Sequence, residues 1–200
     1  MWCSASLRQA EGWTSVGTKT DNHYLADKVA LRVSMIKGLP DPIRVLDCYG
    51  GHGVVWRAVQ RLTGRVINRT AIDMRTDLHA AHLHGDNLKV MAGLDLSQYD
   101  VIDLDAYGVP TEQLDMVLRS TFRGVVFVTM IQTVVGEMPQ RMCKEIGLPA
   151  KIFTECKTIA FRRGWEYFCA WMHKRGVDRI HLRARNRKRY FGFVWNGPRQ

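Results

Sequence analysis

Arg44-Val45-Leu46-Asp47-Cys48 reads as a short strand, and it runs directly into Tyr49-Gly50-Gly51-His52-Gly53. A helix follows, with Val55, Val59 and Leu62 on one side, and Gly64 ends it. A strand, a glycine turn and a helix in that order let a backbone approach a nucleotide-like ligand closely, because glycine makes the tight turn and carries no Cβ to block contact. The next strand, Arg65 to Asp73, closes on a carboxylate about 20 residues beyond Gly53, where ribose hydroxyls find their acceptor.

Outward from this centre, strands and helices alternate. Upstream, Asp21-Asn22 is read as the cap of a helix whose apolar side is Leu25, Val29, Val33 and Ile36, stopped by Gly38 and Pro40. Downstream, Asp77 to His84 is expected to form a short helix leading to a minimal strand near Leu83, with Gly85-Asp86-Asn87 as a turn. Tyr99 to Asp105 is a strand, a helix begins at Thr111 and runs through Leu114, Val117, Leu118 and Phe122, and Gly124 to Thr129 is a strand buried on both faces. Such alternation implies βαβ units and a mainly parallel sheet. Ile152 to Arg175 reads as helix interrupted at Gly164, and Arg179 to Trp195 as two strands joined at a tip of Asn186-Arg187-Lys188. The expected organisation is one domain over residues 1–200, with a helical lead-in to residue 40 and a core from 41 onward.

The chain carries a net charge of +10, which directs it toward polyanions, nucleic acid first; the alternative is a merely solvated cationic face. Cys3, Cys48, Cys143, Cys156 and Cys169 are odd in number and form no CxxC pair, which fits a reducing cytoplasm better than a disulfide scaffold. The N-terminus lacks the apolar stretch of a signal peptide, and no run approaches a membrane span, so no membrane partner is expected. His79, His82 and His84 have no metal-ligand spacing, and no metal is expected.

A dinucleotide cofactor is the rival reading of the glycine loop, but the order here is D-x-x-G-G-x-G, without a glycine three positions beyond Gly53. In this form the segment resembles the first motif of the class I S-adenosylmethionine-dependent methyltransferases. The resemblance implies a Rossmann-like, doubly wound α/β fold with an antiparallel C-terminal hairpin, and S-adenosyl-L-methionine as cofactor. It further implies that Asp47, Tyr49, Gly50, Gly51, Gly53 and Asp103 lie around the donor, that Asp73 and Met74 take its ribose end, and that Asp86 or Asn87 meets the adenine amine.

The candidate chemistry lies in Asp105-Ala106-Tyr107-Gly108-Val109-Pro110, at the carboxyl end of a strand, where Asp103 and Asp105 share one face. A carboxylate there can accept a hydrogen bond from an exocyclic amine, and an aromatic ring can stack on a base. The segment resembles the D-P-F-G-S-P signature of the tRNA guanine N2-dimethyltransferases and, more loosely, the D/N-P-P-Y/F motif of amino-methylating enzymes, with Ala106 in the place of proline. That likeness implies Asp105 and the Ala106 carbonyl as holders of the amine and Tyr107 as its platform. A cysteine nucleophile fits less well, since Cys48 falls in the glycine loop and Cys143 on a helix.

Lys174, Arg175, Arg179, Arg183, Arg185, Arg187, Lys188 and Arg189 form a cationic stretch opposed by one acid, Asp178, and Arg162-Arg163 extends it. These charges are assigned to phosphate contacts, and Tyr190, Phe191, Phe193 and Trp195 mainly to the core. The expected activity is methylation of RNA or DNA, on an exocyclic base amine. The alternatives are a small-molecule or protein methyltransferase, or a nucleic-acid-binding module that kept the fold without catalysis.

Overall fold

The computed structural model describes residues 24–131, 139–149, 151–156 and 158–198. Among them, β1 (Ile43–Asp47), β2 (Ile67–Asp73), β3 (Leu83–His84), β4 (Val101–Leu104), β5 (Gly124–Ile131), β6 (His181–Arg185) and β7 (Lys188–Trp195) form one sheet in the order β3-β2-β1-β4-β5-β7-β6. The first five strands pair in parallel, and β7 runs antiparallel between β5 and β6. This is a Rossmann-like α/β sheet with an antiparallel C-terminal hairpin.

Helices α1 (Leu25–Met35) and α2 (Val54–Thr63) cover one face of the sheet. The other is covered by α3 (Asn87–Ala92), α4 (Thr111–Arg119), α5 (Gln140–Glu145) and α7 (Ile159–Lys174), with the single-turn α6 (Ile152–Glu155) preceding α7. Strand alternation feeds both layers. Ile43, Val45, Val101, Val125 and Phe127 pack with Val29, Ile36, Trp56 and Val59. Leu46, Ile102, Leu104, Val126, Val128, Phe191 and Phe193 pack with Leu114, Val117, Phe168, Trp171 and Met172. Burial on both sides is why β4 and β5 read as near-continuous apolar runs.

Four expectations are corrected. Residues 77–82 turn rather than form a helix, and they lead to β3 at Leu83, where a minimal strand was expected: Arg75 clamps Asp77 at 2.6 Å, and the backbone of His82 bonds that of Ala71 at 2.9 Å, which holds the segment against β2. Helix α3 was not anticipated; Asp86 caps it by accepting from the Lys89 amide. On α2 the buried residues are Trp56 and Val59, whereas Leu62 is exposed. Helix α7 runs unbroken through Gly164, because the packing of Phe168, Trp171 and Met172 outweighs the roughly 1 kcal/mol that a helical glycine costs.

The Asp21-Asn22 cap and Cys3 lie outside the described residues. The hairpin turn is Asn186-Arg187, with Asn186 at φ 52°, and Lys188 already belongs to β7. Among the described residues, no helix is long and apolar enough to cross a membrane.

Candidate active site

At the carboxyl ends of the parallel strands, where open α/β sheets place their ligands, lies a cleft of about 330 Å³. One wall is built from Tyr49, Gly51, Asp73, Met74 and Asn87. The other is built from Lys28, Asp105, Ala106, Tyr107, Thr129 and Tyr190, with Lys188 of the hairpin beside them.

The first wall suits a nucleoside. Both Asp73 oxygens are held by backbone amides, from Gly51 at 2.9 Å and Arg75 at 2.9 Å, which aims the carboxylate and leaves lone pairs for ribose hydroxyls. Asn87 is buried beside Tyr49, and its Oδ1 has no hydrogen-bond partner. A buried acceptor without a donor is costly, and an adenine amine would supply one. Asn87, not Asp86, is therefore the residue at the cleft, since Asp86 is exposed and spent on its cap. Met74 stands 71% exposed at the rim.

The glycines divide by role. A Cβ on Gly50 would lie 2.7 Å from that of Ala71, and one on Gly53, at φ +66°, would lie 2.5 Å from the Arg69 guanidinium. Those two glycines admit the chain's own β2, and Gly51 alone of the three lines the cleft. Arg69 bonds Asp47 at 3.0 Å and the Gly50 and Ala80 carbonyls, locking the loop from behind. Asp47 accordingly lines, with Gly50, Gly53 and Asp103, a narrow pocket that adjoins the main cleft rather than the main cleft itself. Burial, followed by repulsion from Asp103, pushes its carboxyl up to about 7.

Sequence reasoning missed the two cations that organise the second wall. Lys28 and Arg32 sit four apart on α1, a rise of about 6 Å, and Asp103 and Asp105 sit two apart along β4 and its extension, about 6.6 Å. The near-equal spacings let both pairs form. Arg32 grips Asp103 at 2.8 and 2.6 Å, and Lys28 grips Asp105 at 2.7 Å.

Trp56 Nε1 also donates to Asp103, whose carboxyl is raised above its ordinary range by burial, against the opposing pull of Arg32. Asp103 is thus held as the ion-pair partner of Arg32, and it borders a narrow pocket of about 40 Å³ under the glycine loop, with Asp47, Gly50 and Gly53, rather than the main cleft. Asp105 receives Lys28 on Oδ2 and the Thr129 hydroxyl on Oδ1 at 2.5 Å. Burial works to raise its pKa, but Lys28, Arg32 and the two hydrogen bonds win, and the group lies below the usual carboxylate range. Asp105 is therefore ionised, with lone pairs to spare.

Ala106 is buried beside it, while Tyr107 is 72% exposed at the rim, open to a flat partner. Cys48 also lines the cleft, but burial and then Asp47 push its thiol far up, so it is not a thiolate nucleophile. Burial, with Asp105 adding to it, raises Tyr190 to about 12.

The cationic stretch separates into two groups. Arg175 is mostly buried and bonded to Asp115 at 2.7 Å and Glu145 at 2.6 Å, tying α4, α5 and α7 together, so its phosphate assignment is corrected to a structural one. Lys174 bonds the Glu145 carbonyl, Arg163 pairs with Glu166, and Arg185 pairs with Asp27. Arg189 donates to the Asn186 carbonyl. Arg162, Arg179, Arg183 and Arg187 are exposed, Arg187 over the Phe161 ring, and Lys188 reaches the cleft. Tyr190, Phe191, Phe193 and Trp195 are all buried, so the aromatics of β7 are core.

No protein-family model matches the chain, and no curated protein matches it by sequence. Solved structures share the fold. A protein of Methanococcus maripaludis provisionally assigned as an S-adenosyl-L-methionine-dependent methyltransferase superposes with a TM-score of 0.52 at 10% identity, covering 90% of each chain. A SAM-dependent methyltransferase from Archaeoglobus fulgidus gives 0.50 at 10% identity, over 85% of this chain and 93% of that one. The plantazolicin methyltransferase BamL, solved with a triazolic desmethylPZN analog and SAH, gives 0.51 at 11% identity, over 86% of this chain and 84% of its own. The chain has the fold of the class I methyltransferases.

Proposed function

We propose that the chain is an S-adenosyl-L-methionine-dependent methyltransferase that acts on nucleic acid, with an exocyclic base amine as acceptor. The observation that carries this reading is the two-walled cleft: a nucleoside-type wall of Gly51, Asp73 and Asn87 faces the ionised Asp105, Ala106 and the open ring of Tyr107. The donor would supply a sulfonium-activated methyl group. Asp73 would take its ribose hydroxyls, Asn87 Oδ1 its adenine amine, and Gly51 would let it lie against the backbone.

On the other wall, Asp105 and the Ala106 carbonyl accept the two N–H groups of the acceptor amine, which aims its lone pair across the cleft, and Tyr107 stacks on the base. The low proton affinity of Asp105 makes it an orienting acceptor that passes the released proton to water rather than storing it. Lys188, Arg183 and Arg187 bring the phosphate backbone to the cleft, and a base within a duplex has to be flipped out. We place the protein in the reducing cytoplasm, in keeping with the free thiols of Cys48, Cys156 and Cys169.

The test is incubation with radiolabelled donor and separate DNA, tRNA and ribosomal RNA pools, followed by digestion to nucleosides. Label in an N-methylated nucleoside is expected, and its loss in Asp105→Ala. Label in no pool contradicts the reading. Ala106, in the place of a motif proline, favours a second reading, a nucleic-acid-binding module without transfer; retained nucleic-acid binding without donor binding would support that one.

A further inference from the structure

We propose that Lys28 of α1 is a positioning residue for methyl transfer, fixing Asp105 in place so that its free lone pairs meet the acceptor amine; this rests on the methyltransferase reading above. The ion pair is direct, 2.7 Å from Nζ to Oδ2, and both side chains are nearly shielded from water, at 9% and 15% exposure. Both residues line the cleft, so the pair is part of its wall and not a remote brace.

The neighbouring pair supplies the contrast. Arg32 and Asp103 are 2% and 1% exposed and closed off by Trp56; Asp103 borders only the narrow pocket of about 40 Å³ under the glycine loop, and Arg32 lines neither that pocket nor the main cleft. Sheet and helix are therefore already fastened at Asp103. Holding the helix to the sheet does not require a second buried ion pair one turn away, and this one opens on the ligand space.

The chemistry favours a lysine. A single ammonium on Oδ2 and the Thr129 hydroxyl on Oδ1 together leave one site open on each oxygen, whereas a bidentate guanidinium, which by itself takes one site on each oxygen as Arg32 does on Asp103, would with Thr129 leave a single site open. Lys28 also lies 5.5 Å from the centre of the Tyr190 ring, which fixes its stem. The groups facing Asp105 are Lys28 and Arg32 from α1, Asp47 from β1, Asp103 from β4, Thr129 from β5 and Tyr190 from β7. Removal of Lys28 leaves Arg32 as the cation, and Arg32 is committed to Asp103.

The experiment uses the full chain. Carboxyl-carbon NMR follows the titration of Asp105, identified by its absence in Asp105→Asn, in wild type, Lys28→Gln, Lys28→Met and Lys28→Arg, with exposed Lys37→Gln as the surface control. The two neutral variants are expected to move the Asp105 titration upward, and Lys28→Arg to leave it low. On whichever nucleic-acid pool accepts label, kcat in the neutral variants is expected to fall roughly 10- to 100-fold, the scale of a misaligned reacting group. The loss deepens toward acid pH, KM for the donor is unchanged, and Lys28→Arg restores part of the rate.

An unmoved Asp105 titration, an equal loss at every pH, or faster transfer without Lys28 overturns the proposal; the last would make Lys28 a competitor for Asp105. The two neutral variants differ in polarity, so one failing to fold leaves the other to decide. If no pool accepts label, the methyltransferase reading fails, and the titration still decides whether Lys28 governs Asp105.

Discussion

Replacing Arg32 by leucine removes the only cation that touches Asp103 among the described residues, and the cost follows from what remains. Asp103 would keep one hydrogen bond, from Trp56 at 2.8 Å, in a site 1% exposed, with Asp47 and Asp105 both repelling it. Breaking a buried ion pair by removing one partner costs about 3–5 kcal/mol. For a chain of this size that corresponds to a drop of roughly 6–20 °C in Tm.

The loss depends on pH in a defined direction. Without Arg32 the folded-state pKa of Asp103 rises further above its unfolded value. The native state then binds the proton more tightly than the unfolded chain, so stability is retained at low pH and lost as pH rises through the folded pKa. Urea unfolding followed by circular dichroism should therefore show a larger deficit at pH 8 than at pH 5. The double variant Arg32→Leu with Asp103→Leu should regain most of the loss, since an apolar pair of similar volume carries no stranded charge. A single variant within about 1 kcal/mol of wild type, or a deficit that grows toward acid, would refute the reasoning.

Other outcomes follow from the same geometry. The Asp47 carboxyl, raised from 3.8 to about 7 on folding, makes wild-type stability fall as pH climbs through that window, and Asp47→Asn should flatten the profile of urea midpoints. Gly53→Ala meets both a positive φ and the Arg69 guanidinium, so it should cost about 1–3 kcal/mol in thermal unfolding, and a cost near zero would mean that the loop is not locked by Arg69. In filter binding to RNA, Arg183→Gln and Arg187→Gln should each reduce the salt-dependence slope by about one, whereas Arg175→Gln should lower stability rather than that slope.

The sequence made the sheet legible because its strongest signals are local. D-x-x-G-G-x-G between a strand and a helix, Asp73 closing the next strand, and the apolar runs at Val101 and Val125 each report on a few adjacent residues. What it concealed are contacts between distant segments. Lys28 and Arg32 look like the solvated side of an amphipathic helix until Asp103 and Asp105, more than 70 residues on, are placed opposite them.

A signal was nevertheless present, since two acids two apart in a buried strand require cations at matching pitch, and Lys28 and Arg32 offer them. The helix expected at 77–84 failed for a comparable reason, because the partners of His82 and Arg69 lie across the edge of β2. In the basic stretch, one-dimensional charge counting could not separate Arg175, buried between Asp115 and Glu145, from Arg183 and Arg187 in solvent.

The central claim is that the wall of Gly51, Asp73 and Asn87 receives an adenosyl sulfonium. Isothermal titration calorimetry of the full chain with S-adenosyl-L-methionine tests it most directly, with Asp73→Ala alongside. Saturable binding is expected, weakened roughly 10- to 100-fold in the variant, the scale of hydrogen bonds to a charged group. No heat from the wild type, or affinity indifferent to Asp73, would contradict it.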